Sequence, residues 1–225
     1  MRTATLQALL ADRAAKRPVV LAQNLDTGED RLIRLDDGTD PLIEHVRAAA
    51  RADKGGIVEH AGARVFLNVF NPPLRMVVVG AAHIAQPLTR MAALAGYDVT
   101  VIDPRRAFAS EDRFPGVSLS HDWPDEAMAA LAPDARTAVI TLTHDPKLDD
   151  PALGIAIRSG AFYIGALGSS RTHAKRKGRL IEAGYTEAEF ARIKGPVGLD
   201  IGAKSPAEIA VSILAQVTQS LRQEA

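Results

Sequence analysis

Hydrophobic positions in this chain change their rhythm near residue 71. Upstream, VVLAQN, RLIRL and RVFLNVF are short runs that predict strands, the first two joined by the turn-like DTGED. Leu6, Leu9, Leu10 and Ala14 recur at helical spacing, and PLIEHVRAAARA predicts a helix with Pro41 at its first position. Downstream, MVVVG, YDVTVID, TAVITLTH and AFYIGAL are continuous apolar runs rich in β-branched residues. Such runs suit strands buried on both faces of a parallel sheet. Helical segments alternate with them: HIAQPLTRMAALAG, DEAMAALAP, DPALGIAIRSG, the basic stretch from Ser170 to Ala183, and a last helix from Pro206 to about Arg222. This order predicts an α/β fold, a doubly wound parallel sheet with right-handed crossovers. The two prolines of NPPLR cannot sit inside a ladder. They divide a small mixed α/β region, residues 1–72, from the doubly wound domain, residues 73–225.

Charge narrows the partners. Lys plus Arg and Asp plus Glu are both 27, so no net field points to nucleic acid or to a membrane surface. No apolar run approaches the roughly 18 residues of a membrane span. The opening MRTATLQALLADRAAKR makes a poor signal peptide, and a cytoplasmic location is the default expectation. The absence of cysteine removes disulfides, thiolate metal ligands and cysteine nucleophiles together.

In a doubly wound sheet, ligands bind beyond the carboxyl ends of the strands, where strand order reverses. The residues after each apolar run are therefore the candidates. After the first come Gly80, Ala81, Ala82, His83 and Ile84, close to the dinucleotide fingerprint but with alanine at its middle glycine. His83 would adjoin any phosphate held there as a neutral hydrogen-bonding group. Asp103 lies 23 residues after Gly80, near the spacing at which an acid takes ribose hydroxyls, and Arg105 follows it. Strand, loop, helix and acid together predict a Rossmann-like architecture. Occupancy by a dinucleotide stays open, because the Ala82 methyl stands where backbone would approach a pyrophosphate. Asp103 favours NAD over NADP in any case.

After the third run, Thr143, His144 and Asp145 could handle protons or bind a polar ligand, or Asp145 could simply form a turn before Pro146. After the fourth, Gly168, Ser169, Ser170 and Arg171 form a turn entering a helix, a ready anion site. Farther along that helix, Lys177 and Arg179 read as a solvated face. In GPVGLDIGAKSPAEI, Ser205 and Glu208 make a capping box. Asp200 sits in a tight glycine loop, either as a ligand contact or as part of a turn with buried hydrogen bonds. No spacing indicates a protein-held metal.

These stretches resemble the XdhC/CoxI family of accessory proteins that mature molybdenum hydroxylases such as xanthine dehydrogenase and carbon monoxide dehydrogenase. The carrying motifs are GAAHIA, DPR at 103–105, THD at 143–145, YIGALGS at 163–169 and PVGLDIGAKSPAEIAVSI at 196–213. The resemblance implies a non-catalytic chaperone that binds the molybdenum cofactor, protects it, supports its sulfuration with a cysteine desulfurase and inserts it into the hydroxylase apoenzyme. Ala82 would exclude a pyrophosphate better than a single phosphate or a pterin edge.

Longer relatives of this kind open with a glycine-rich segment carrying a cysteine motif. The resemblance therefore implies a separate small protein bearing that segment, meeting this chain at the edge or apolar face of RVFLNVF and VVLAQN. A homodimer is a further possibility. Two other readings stay open: an NAD-dependent oxidoreductase, with His144 or Asp145 handling protons, and a nucleotide-sensing interaction module.

Overall fold

The computed structural model describes residues 2–223, which form two compact units with the division at Pro72 and Pro73. The first contains α1 (Thr3–Ala14), β1 (Val19–Asn24), β2 (Asp30–Arg34), α2 (Ile43–Ala52), β3 (Gly56–His60) and β4 (Ala63–Phe70). Its four strands form an antiparallel sheet in the order β2-β1-β4-β3. Val20, Ala22, Ile33, Val65 and Leu67 of the sheet pack on Ile43, Val46 and Ala50 of α2. From α1 only Leu9 and Asp12 are buried, while Leu6 and Leu10 stay exposed. Asp12 ties α1 to β2 through Arg34 at 3.0 Å and also holds Arg17 at 2.6 Å.

Two expectations need correction here, and one strand lies outside the elements the sequence predicts. VVLAQN and RVFLNVF are β1 and β4, the two inner strands, so neither offers a free edge; the edges are β2 and β3. GIVEH forms β3 although Gly56, Glu59 and His60 interrupt its apolar signal. Pro41 precedes α2 instead of opening it: Asp40 accepts a hydrogen bond from the Leu42 amide at 2.8 Å, and the helix starts at Ile43. The aspartate has taken the turn that the proline was expected to start.

The second unit contains β5 (Leu74–Val79), α3 (Ala85–Leu94), β6 (Tyr97–Ile102), β7 (Ser118–Ser120), α4 (Pro124–Leu131) and β8 (Thr137–Thr141). It continues with α5 (Pro146–Arg158), β9 (Tyr163–Ala166), α6 (Ser170–Glu182), α7 (Glu187–Phe190), β10 (Ile193–Lys194) and α8 (Pro206–Gln223). The six strands are parallel in the order β10-β9-β8-β5-β6-β7. This is the Rossmann order, and it reverses between β5 and β8.

Successive side chains on a strand point to opposite faces, and each face of this sheet is covered. Met76, Val78 and Ile140 pack with Leu88 of α3 and with Ala210, Ile213 and Val217 of α8. Val77, Val79 and Val139 pack with Ala152, Leu153 and Ala156 of α5 and Leu180 of α6. Both faces being apolar is why these strands read as unbroken hydrophobic runs. No helix among the described residues is long and apolar enough to cross a membrane.

Helix α5 begins at Pro146, four residues before the predicted start, because Asp145 caps it and Pro146 fits the first helical position. The capping box at the start of α8 forms as expected, with Ser205 N donating to Glu208 at 2.8 Å and Glu208 N to Ser205 Oγ at 3.2 Å.

Candidate functional site

Each strand ladder continues one residue past the strand. Gly80 N donates to Ile102 O, Leu142 N to Val79 O, Leu167 N to Thr141 O and Asp103 N to Ser120 O, at 2.8 to 3.0 Å. The loops that follow β5, β6, β8 and β9 therefore leave one edge of the sheet side by side. They straddle the point where strand order reverses, the place where such folds hold ligands.

Gly80 joins two of these loops. Its φ is +103°, and a Cβ there would lie 2.4 Å from Thr143 Cγ2 and 3.2 Å from the Thr143 amide nitrogen. Ala81 is buried, Ala82 is half-buried against the core, and His83 is exposed. Ile84 serves as the N-cap of α3 without any side-chain capping bond.

Asp103 corrects an expectation. It is fully buried, and its carboxylate accepts from the Ala81 amide (2.9 Å), the Arg105 amide (3.0 Å) and Arg105 Nε and Nη2 (2.9 Å each). Burial alone would raise its pKa, but the guanidinium and the two amides outweigh that and hold the carboxyl below its ordinary range. An acid engaged in this way has no lone pair to spare for a ribose. It pins the Gly80–Ala81 turn to the end of β6 instead. Arg105 also lies over the Phe108 ring at 4.5 Å.

In the THD stretch, Thr143 Oγ accepts from the Asp145 amide at 3.0 Å and donates to Asp149 at 2.7 Å. Between them, exposed His144 has a φ of +63°, rare for a residue with a side chain. Asp145 accepts from the Lys147 amide at 2.9 Å, which is the turn reading, with a helix cap added to it.

The β9 loop turns at Gly168, whose φ is +135°, and enters α6. Ser169 caps the helix by accepting from the Thr172 amide at 3.2 Å. The Ser170 and Arg171 amides lie in the first turn of α6, where backbone N–H groups have no intrahelical acceptor. Arg171 is exposed, with no acidic partner among the described residues. Lys177 and Arg179 are not simply solvated: they pair with Glu187 at 2.5 Å and Asp150 at 2.6 Å.

Asp200 stands apart. Its loop is anchored to α8 through Gln216, which accepts from the Gly198 amide, and through the Leu199 amide on Ser212 O. Asp200 itself is exposed, and no bond among the described residues joins it to the other loops.

Sequence reasoning missed several residues along the same edge. His121 Nδ1 is 3.4 Å from Asp103 O, and Trp123, half-exposed, stands at the N-cap position of α4 just beyond, without a side-chain capping bond. Asp149 and Arg176 are buried beneath the THD and β9 loops. Among the described residues no cluster of His, Asp and Glu could hold a metal ion.

A parallel sheet in this strand order, whose β5, β6, β8 and β9 loops leave one edge together, defines a Rossmann-fold α/β domain. The chain belongs to the XdhC family, matching the XdhC Rossmann domain over residues 76–217. It is 35% identical over 148 residues to the molybdenum cofactor insertion chaperone PaoD of Escherichia coli, covering 66% of this chain and 40% of that protein. It is 31% identical over 162 residues to a probable xanthine dehydrogenase subunit of Bacillus subtilis, covering 72% and 47%. An uncharacterized E. coli protein, YqeB, is 30% identical over 200 residues, covering 89% and 36%. The chain thus spans less than half the length of these curated relatives. A solved xanthine dehydrogenase from Bacillus halodurans shares the fold, with a TM-score of 0.70 at 24% identity over 98% of this chain and 64% of that one.

Proposed function

We propose that this edge of the sheet binds the molybdenum cofactor as cargo and delivers it to a molybdenum hydroxylase apoenzyme. The observation that carries the reading is the β9 loop. It offers the Ser170 and Arg171 amides, the positive end of α6 and an exposed guanidinium with no described acid beside it. A phosphate monoester, such as the one on the pterin side chain, is recognised by this combination. The family relationship and the chaperone PaoD among the relatives support the cargo. Nothing in the reading requires turnover by this chain. Because the chain has no cysteine, sulfuration of the cargo would draw its sulfur from a partner such as a cysteine desulfurase.

Anaerobic titration of the purified protein with cofactor released from a molybdenum hydroxylase tests the proposal. Saturable binding is expected. Replacing Arg171 with alanine removes one charge-assisted contact worth about 1.5 kcal/mol, so affinity should fall about tenfold. Equal binding by wild type and variant would place the phosphate elsewhere.

NAD is the second reading, favoured by the strand order and opposed by the engaged carboxylate of Asp103. Replacing Ala82 with glycine should raise NAD affinity and leave cofactor binding nearly unchanged. Titration with NAD before and after the substitution checks this, and unchanged NAD binding would show that the methyl was no obstacle.

A further inference from the structure

Asp149, in the first turn of α5, and Arg176, in the middle of α6, are the charges that the proposed function leaves unused. Both are at most 2% exposed. They face each other at 3.6 Å, an ion pair too long to be a hydrogen bond. Asp149 Oδ2 and Arg176 Nε and Nη1 meet no hydrogen-bond partner among the described residues. The neighbouring charges are already matched, since Arg179 grips Asp150 with both nitrogens at 2.6 and 3.0 Å. The His173 ring lies against Phe190 at 4.8 Å.

A buried pair with three unpartnered atoms is a poor stabilising device. An apolar pair of the same volume would satisfy the core better. What these side chains do hold is backbone on either side of the crevice. Asp149 Oδ1 accepts from Thr143 Oγ at 2.7 Å, and Thr143 is the residue packed on Gly80. Arg176 Nη2 donates to Leu167 O at 2.9 Å, directly before Gly168. Each charge grips one wall and faces the other charge across the gap.

We propose that Asp149 and Arg176 act as positioning residues, a buried strut that sets the spacing between the Thr143–Asp145 loop and the Gly168–Arg171 loop. The inference rests on the proposed function for its purpose, because the strut would hold the anion-binding loop in register with the other wall of the crevice. Burial pushes the Asp149 carboxyl up and the Arg176 guanidinium down, and the opposing pull of each on the other only partly offsets it, so the pair is held at a cost.

Hydrogen exchange on the ligand-free protein, as the full chain, tests the strut without any cargo. Arg176→Met should speed exchange of the Thr143–Asp145 amides at least fivefold, although residue 176 makes no hydrogen bond to that loop. Asp149→Asn keeps the volume and the acceptor for Thr143 but removes the charge. It should speed exchange of the Leu167, Thr172 and His173 amides, whose hydrogen bonds flank and brace the Gly168–Arg171 turn, by a similar factor while the Thr143 loop changes less. Arg176→Lys should restore part of the protection. If Arg176→Met does not fold, Asp149→Asn and Arg176→Lys carry the same comparison. Loosening confined to each residue's own loop, or exchange that rises uniformly with lost stability, would overturn the strut. In a parallel titration with isolated molybdenum cofactor, folded strut variants should bind at least tenfold more weakly than wild type. Coupled exchange with no cofactor binding by wild type would sink the proposed function and leave the strut standing. Uncoupled exchange with tight wild-type binding would do the reverse.

Discussion

Replacing Gly80 with alanine should lower the unfolding free energy by about 3 kcal/mol and abolish ligand binding at the crevice. Two costs add at this position. A side chain at a φ of +103° is strained by about 1–2 kcal/mol. Its Cβ would then drive into Thr143, 2.4 Å from Cγ2 and 3.2 Å from the backbone nitrogen, an overpacking cost of about 1–3 kcal/mol. The backbone contact cannot be relieved by a rotamer change, so the β5 and β8 loops must separate. Gly96 is the control, with a φ of +88° and nothing within 4 Å of its prospective Cβ. Gly96→Ala should cost only the strain, about 1 kcal/mol. Urea unfolding of both variants separates strain from close approach, and equal losses would show that the contact with Thr143 has no energetic weight.

Asp103→Asn should cost about 2 kcal/mol at neutral pH and change how the protein responds to acid. The buried carboxylate accepts from both amides and both guanidinium nitrogens, and an amide cannot accept all four. Breaking a fully buried pair costs about 3–5 kcal/mol. The Arg105 side chain, however, is 46% exposed, so solvent screens its share and the lower figure applies. The sign with pH follows from the direction of the shift. Because the folded pKa is depressed, the contribution is complete above the unfolded carboxylate value of about 3.9 and is lost as pH falls through the folded one. Wild type should therefore outlast the variant at pH 7, and the gap should close below about pH 4. Other paired carboxylates, Asp12 and Asp134 among them, titrate in the same direction in both proteins. The difference between the two stability curves isolates Asp103, and a gap that persists into acid would rule out its charge as the source.

The strands at the centre of the larger sheet were legible because burial on two faces writes a continuous apolar run, as in MVVVG and TAVITLTH. Its edges were not. SLS in β7 and IK in β10 are too short to show a period, and their polar residues lie where solvent tolerates them. Among site residues, positions were easier to read than roles. Spacing placed Asp103 at the end of β6 but could not say whether it faced a ligand or its own loop. The signal was Arg105, two residues on, close enough to close over the carboxylate. Arg176 was hidden in KRK, where neighbouring cations suggest a wet helix face. Its phase with Leu180, one turn later and also buried, was the available clue.

The order of the strands has a consequence for synthesis. Thr143 meets Gly80 across 63 residues of chain, and the Gly168–Arg171 turn is translated later still. No early fragment emerging from the ribosome contains both walls, since non-local pairings of this kind form only when their distant halves coexist. On the proposed reading, the crevice therefore assembles only after α6 has been made, and a product truncated before that helix should fail to bind the cofactor.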